Sequence, residues 1–90
     1  MSETNQPRPM TSAEMVAMVR AQGKTEKPTK GLTEWTRNAT LAEAMGAMGF
    51  TVVYVAEPTN GTSAPYWRLN CNGNRFRAIV KLLRDAGAQV

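Results

Sequence analysis

The sequence predicts a small single α+β domain in which an antiparallel β-hairpin packs against helices, in the order helix, helix, strand, strand, helix. Three patterns predict it. Phe76, Ile79, Val80 and Leu83 fall at i, i+3, i+4 and i+7, the spacing that lays one apolar stripe along a helix. Two runs of strand character, Phe50 to Ala56 and Tyr66 to Cys71, enclose Asn60-Gly61, a strong short-range turn signal. Thr11 with Glu14, and Thr40 with Glu43, each match the capping box that opens a helix.

Taken in order, residues 1–10 hold Asn5, Gln6, Pro7 and Pro9 with little apolar content. They cannot offset their own ordering entropy and read as a disordered tail. Residues 11–90 read as the folded domain. The first helix is expected over about Ser12 to Gln22, with Met15, Met18 and Val19 on one face and Gly23 as its stop. Lys24 to Lys30 lacks apolar periodicity and contains Pro28, so a flexible linker is expected near 23–31. Leu32 to Arg37 fits either a helical turn or an extended piece, with Trp35 as its buried anchor.

The second helix is expected over Leu41 to Met48, where Leu41, Ala44, Met45 and Met48 share a stripe and Gly49 supplies the left-handed cap. The strand that follows is rich in β-branched and aromatic residues. In its partner, Trp67, Leu69 and Cys71 alternate with Tyr66, Arg68 and Asn70, which assigns the first set to the core and the second to the polar face. Gly73 and Asn74 introduce the last helix, with Asn74 a possible N-cap, and Gly87 ends it.

Composition narrows the function. A chain of 90 residues with 42% hydrophobic and 20% charged residues supports one domain with a thin core. Histidine is absent, which removes the commonest general base and metal ligand. The acids stand singly, so no paired carboxylates suggest themselves. The protein is therefore read as no enzyme, and no cofactor or metal is expected. Cys71 is the single cysteine and has no internal partner, which fits a reducing, cytoplasmic setting. No apolar run is long enough to span a bilayer, and the first residues carry no signal-peptide core, so no membrane association is expected.

The net charge of +4 is unevenly placed. Arg68, Arg75, Arg77, Lys81 and Arg84 face only Asp85 from Pro58 onward, while the residues up to Glu57 balance. Such asymmetry marks a surface for polyanions. At 100° per residue Arg77, Lys81 and Arg84 form a ridge beside the apolar stripe. Arg75 and Arg77 are expected near the start of the last helix, where the dipole is unfavourable for cations and exposed N–H groups favour an anion. Tyr66 and Arg68 share a strand face, a combination able to stack on and neutralise nucleic acid. Lys24, Lys27 and Lys30 could add phosphate contacts. The methionines of the first helix suit a pliable interface, so a homodimer through residues 12–22 is a further candidate.

Over about Leu41 to Gln89 the element order resembles, in topology alone, a double-stranded-RNA-binding fold or a small HicA-type toxin. With Pro58 to Pro65 as the wing, it also resembles a winged helix. No motif of these families is matched residue by residue, and no functional residue is carried over. Two functions follow from the sequence. The first is a small non-catalytic nucleic-acid-binding or regulatory protein that sets a basic C-terminal helix on phosphates, with Arg68, Arg75, Arg77, Lys81, Arg84 and Tyr66 as contacts. The alternative is an inhibitor or adaptor from a phage or mobile element, of anti-restriction or anti-CRISPR type, that binds an acidic surface on a larger protein.

Overall fold

The computed structural model of the protein describes residues 9–22, 28–56 and 64–90. The expected tail up to residue 8, the middle of the expected linker and the hairpin tip with Asn60-Gly61 lie outside the described residues. Among these, the order is α1 (Ser12–Ala21), β1 (Glu34–Thr36), α2 (Ala39–Ala47), β2 (Val52–Val55), β3 (Tyr66–Leu69) and α3 (Gly73–Asp85). The domain is α+β, as expected, with one element more than the sequence pattern revealed. Leu32 to Arg37, undecided on sequence, contains strand β1.

The sheet is antiparallel throughout, in the order β1-β3-β2. The last strand in sequence is thus the central one, and β1 and β2 both pair only with it. The register sets Glu34, Leu69 and Val52 side by side, then Trp35, Arg68 and Val53, then Thr36, Trp67 and Tyr54. Because side chains alternate across a strand, Leu69 and Val52 face one side while Trp35, Arg68 and Val53 face the other.

Among the described residues the helices cover the side of Leu69. There α2 packs on all three strands, and α1 packs on α2 and α3. The core joins Met15, Val16 and Val19 of α1, Leu41, Ala44 and Met45 of α2, Leu69 and Cys71, and Ile79 and Leu83 of α3. Leu41, Met45, Leu69, Ile79, Leu83 and Cys71 are the largest fully buried side chains. Each buried aliphatic side chain contributes roughly 1.5–3 kcal/mol of transfer free energy. Cys71 lies buried in this core and in no disulfide, as its position on the inward face predicted. The buried face of α1, with Met15, Val16 and Val19, is covered by α2 and α3 within the same chain.

The helix ends follow from local chemistry. At α1 the capping box is present in both directions: Glu14 N donates to Thr11 Oγ1 at 3.1 Å, and Thr11 N donates to Glu14 Oε1 at 2.8 Å. At α2 the cap is Asn38, not Thr40: Leu41 N donates to Asn38 Oδ1 at 2.9 Å. The helix therefore starts two residues before the predicted Leu41. Asn38 can serve because its own amide donates to Thr36 Oγ1 at 3.0 Å, and its Nδ2 donates to the Gln89 carbonyl at 2.6 Å. One side chain thus caps α2 and ties down the residues beyond α3. After α2 the chain turns at Gly49, with φ of 106°, a conformation that costs an L side chain about 1–2 kcal/mol. At α3 the cap is Asn72 rather than Asn74: Asn74 N and Arg75 N donate to Asn72 Oδ1 at 2.9 and 3.2 Å.

The two capping assignments at α2 differ in outcome. Asn38→Ala should lower the unfolding free energy by about 1 kcal/mol or more, through lost capping and the lost Gln89 bond. Thr40→Ala, inside the first turn, should stay within about 0.5 kcal/mol of the parent. Urea unfolding followed by circular dichroism measures both; equal losses would move the cap back to Thr40.

Candidate nucleic-acid interface

Among the described residues, three helices on one side of a three-stranded sheet leave the other side open. That open side is built from the middle row of the register, Trp35, Arg68 and Val53, with Tyr66 next to Arg68 along β3 and Arg37 just beyond β1. Trp35 is 53% exposed and Val53 41%. Trp35 was expected in the core. Its exposure is a matter of parity: Thr36 and Leu69 occupy the helix side, so the residue before Thr36 must point outward. Trp67, on the helix side, is half-buried and lies against Tyr54 with ring centroids 5.0 Å apart.

The open face couples rings to cations. The Tyr66 ring meets Trp35 edge-on, with centroids 5.8 Å apart and planes at 72°, a favourable arrangement for two quadrupoles. The Arg37 guanidinium lies over the Trp35 ring, 5.1 Å from its centroid. Arg68 lies beside Trp35 in the ladder, and its Nη2 donates to the Leu32 carbonyl at 2.9 Å. This bond spans the strand pairing and fixes where the guanidinium sits. The segment that carries Leu32 is itself tied to the end of β3: Thr29 N donates to the Asn70 carbonyl and Thr33 Oγ1 to the Cys71 carbonyl, each at 2.8 Å. Among the described residues no Asp or Glu stands on this face. Glu34, beside Trp35 in sequence, points to the other side.

The sequence-derived residues thus divide between two surfaces. Tyr66 and Arg68 belong to the open sheet face, where they are joined by Trp35 and Arg37. Arg77, Lys81 and Arg84 lie on the outer side of α3, turned away from Ile79 and Leu83. The ridge expected from the helical wheel is therefore present as a ridge, on the helix layer and away from the sheet's open face. Each of its cations has a partner within α3 or just after it. Arg77 Nη2 donates to Asn74 Oδ1, Lys81 pairs with Asp85 at 3.2 Å, and Arg84 donates to the Val90 carbonyl through Nε at 3.2 Å and Nη2 at 2.7 Å. The exposed Lys81–Asp85 pair is worth only a few tenths of a kcal/mol.

Arg75 stands apart. Two residues from Arg77, it lies about 160° around the helix and is half-buried where Arg77 is exposed. The two flank α3 instead of standing side by side. Since α3 begins at Gly73, Arg77 also lies past the first turn. The helix start already has an anion close by. A Cβ at Gly73 would lie 2.8 Å from Glu34 Oε2 and 3.6 Å from Arg77 Nη1, so a side chain there would push the carboxylate aside. The first turn has no acid of its own; β1 supplies one from 39 positions earlier in the chain. Together with the Asn72 cap, this carboxylate answers the positive end of the helix dipole.

The chain matches no protein-family model, no curated protein and no solved structure. The topological resemblances above rest on element order alone, and the function is argued from the surfaces.

The role of Glu34 is open to test. Glu34→Gln should lower stability by about 0.3–1 kcal/mol, the typical worth of a charge at a helix terminus, and the loss should shrink as salt rises. Thermal unfolding at two ionic strengths reads this; a salt-independent loss would mean that Glu34 acts by packing.

Proposed function

We propose that the protein is a small non-catalytic nucleic-acid-binding protein, and that the open sheet face is where it holds a single strand. One observation carries the reading. A half-exposed tryptophan, with a tyrosine edge-on and an arginine over it, lies beside a second arginine on a face with no acid among the described residues. Aromatic rings on an open sheet offer a base a stacking surface, and arginines beside them neutralise the phosphates on either side of it. A duplex hides the faces of its bases, so this surface favours an unpaired strand.

The magnitudes favour exchange at Trp35. An exposed cation–π contact such as Arg37 on Trp35 is worth about 0.5–1 kcal/mol. A base stacked on the same ring is worth about 1–3 kcal/mol. A base therefore competes well for the ring, with the Arg37 guanidinium beside it as positive charge. Arg68, held by Leu32, is already in position. The α3 cations add to the positive field that draws a polyanion to the protein, with Arg75 and Arg77 contributing charge and not a shared clamp. We assign the protein to the cytoplasm on the strength of its single cysteine, Cys71, which is buried and in no disulfide. No described helix is long and apolar enough to cross a membrane.

Fluorescence anisotropy with a labelled oligonucleotide of about ten nucleotides, a length within the usual footprint of such platforms, tests the reading. Binding should be tighter to the single strand than to the matching duplex and should weaken with salt. Trp35→Ala should weaken it by roughly 5- to 100-fold, while the fold is retained because half of the side chain is already in water. Arg68→Gln should lower the salt slope by about 0.7, as one phosphate contact fewer on a single strand requires. No binding at low salt, or equal binding of duplex with Trp35→Ala inert, would refute it.

A further inference from the structure

The outer side of α3 is more than a row of charges. Phe76 and Val80 are half-buried at the edge of the core they pack against, and their outer edges, with Arg77, Lys81, Arg84 and Asp85, line a cleft of about 470 Å³. Around the helix, Phe76 and Val80 form one band and the three cations the next, so an apolar strip runs parallel to a basic one. We infer that this cleft is a docking site for an acidic amphipathic helix of a partner protein.

Three observations select that occupant. The first is charge: three cations against one acid line the cleft, so the partner is anionic. The second is the apolar strip. Phe76 is half-buried and its neighbour Val80 is aliphatic, so the strip offers a base less open ring than Trp35 does, whereas a partner side chain seated on it removes apolar surface from water. The third is spacing. Arg77, Lys81 and Arg84 follow at i, i+4 and i+7, a ridge about 10 Å long at 1.5 Å per residue. Carboxylates repeated every three or four residues on a partner helix match that ridge, while the same helix lays an apolar stripe on Phe76 and Val80. A second copy of this chain does not qualify, since its own net charge is +4 and its acids stand singly.

The internal bonds of the cations are compatible with this role. Arg84 is held by the Val90 carbonyl and Lys81 by Asp85, which limits the side-chain freedom lost on binding. Their remaining N–H groups are the donors offered to carboxylates. Because the cleft and the open sheet face point in different directions, the partner and a nucleic acid can be held together.

The test uses the whole protein and a fluorescein-labelled synthetic peptide of about 18 residues, long enough to form a helix on a surface. Leucines at i, i+3, i+4 and i+7 are flanked by glutamates, and the control has the same composition in scrambled order. The patterned peptide should bind measurably tighter than the scrambled one. The double variant Arg77→Glu, Lys81→Glu and the single variant Val80→Gln should each weaken it by roughly tenfold. Trp35→Ala should leave it unchanged, and an oligonucleotide should not displace it. Equal binding of the scrambled peptide, an inert Val80→Gln in a folded protein, or the absence of peptide binding overturns the proposal. Displacement by the oligonucleotide also overturns it and gives the α3 ridge to nucleic acid. If oligonucleotide binding fails while the peptide still binds, only the function proposed for the sheet face is lost.

Discussion

Strand β3 is hydrogen-bonded on both edges, and its alternation decides what every other element can do. Leu69 on one side and Arg68 on the other are adjacent residues with opposite fates: one wholly buried, the other in solvent. Once β3 is fixed, its ladders pass the same division to both neighbours, so Val52 turns inward with Leu69, and Trp35 and Val53 turn outward with Arg68. The helix layer can then close on only one side. Among the described residues no second layer covers the other face.

The same constraint explains what could be read from the chain and what could not. Local patterns were sufficient for α1, whose capping box joins residues three apart, and for α3, whose apolar stripe repeats over two turns. They sufficed for the inward set Leu69 and Cys71 as well. Three-residue β1 offered no period long enough to recognise, because its strand character comes from pairing with residues more than thirty positions away. Trp35 was assigned to the core because large aromatic residues are usually buried; only its register opposite Arg68 turns it outward. The choice between Asn38 and Thr40 as cap was ambiguous for a different reason. Both residue types cap helices, and the deciding bonds involve Thr36 and Gln89, which local sequence does not connect.

Charge shows the same contrast between chain and space. Along the sequence the surplus lies from Pro58 onward, and residues 1–57 balance. Folding rearranges this: Arg37, from the balanced part, joins Arg68 on the open face, while Glu34, three residues earlier, is sent to the start of α3. A single three-residue strand thus separates an acid from an aromatic residue by alternation alone. The face keeps its positive character because Glu34 leaves it. Each of these placements depends on the period of two along β1.

The strand order carries a further meaning for how the protein is made. During synthesis β1 emerges before β2 and well before β3, yet its only ladder is with β3. The hairpin of β2 and β3 can form from chain that is close in sequence, but β1 must wait, unpaired, until Leu69 has left the ribosome. The strand holding Trp35 is therefore the first part of the sheet to be translated and has no ladder of its own to join until the central strand arrives. Long-range pairing of this kind slows folding, and it leaves the tryptophan-bearing edge to be assembled onto a frame that the rest of the sheet has already built.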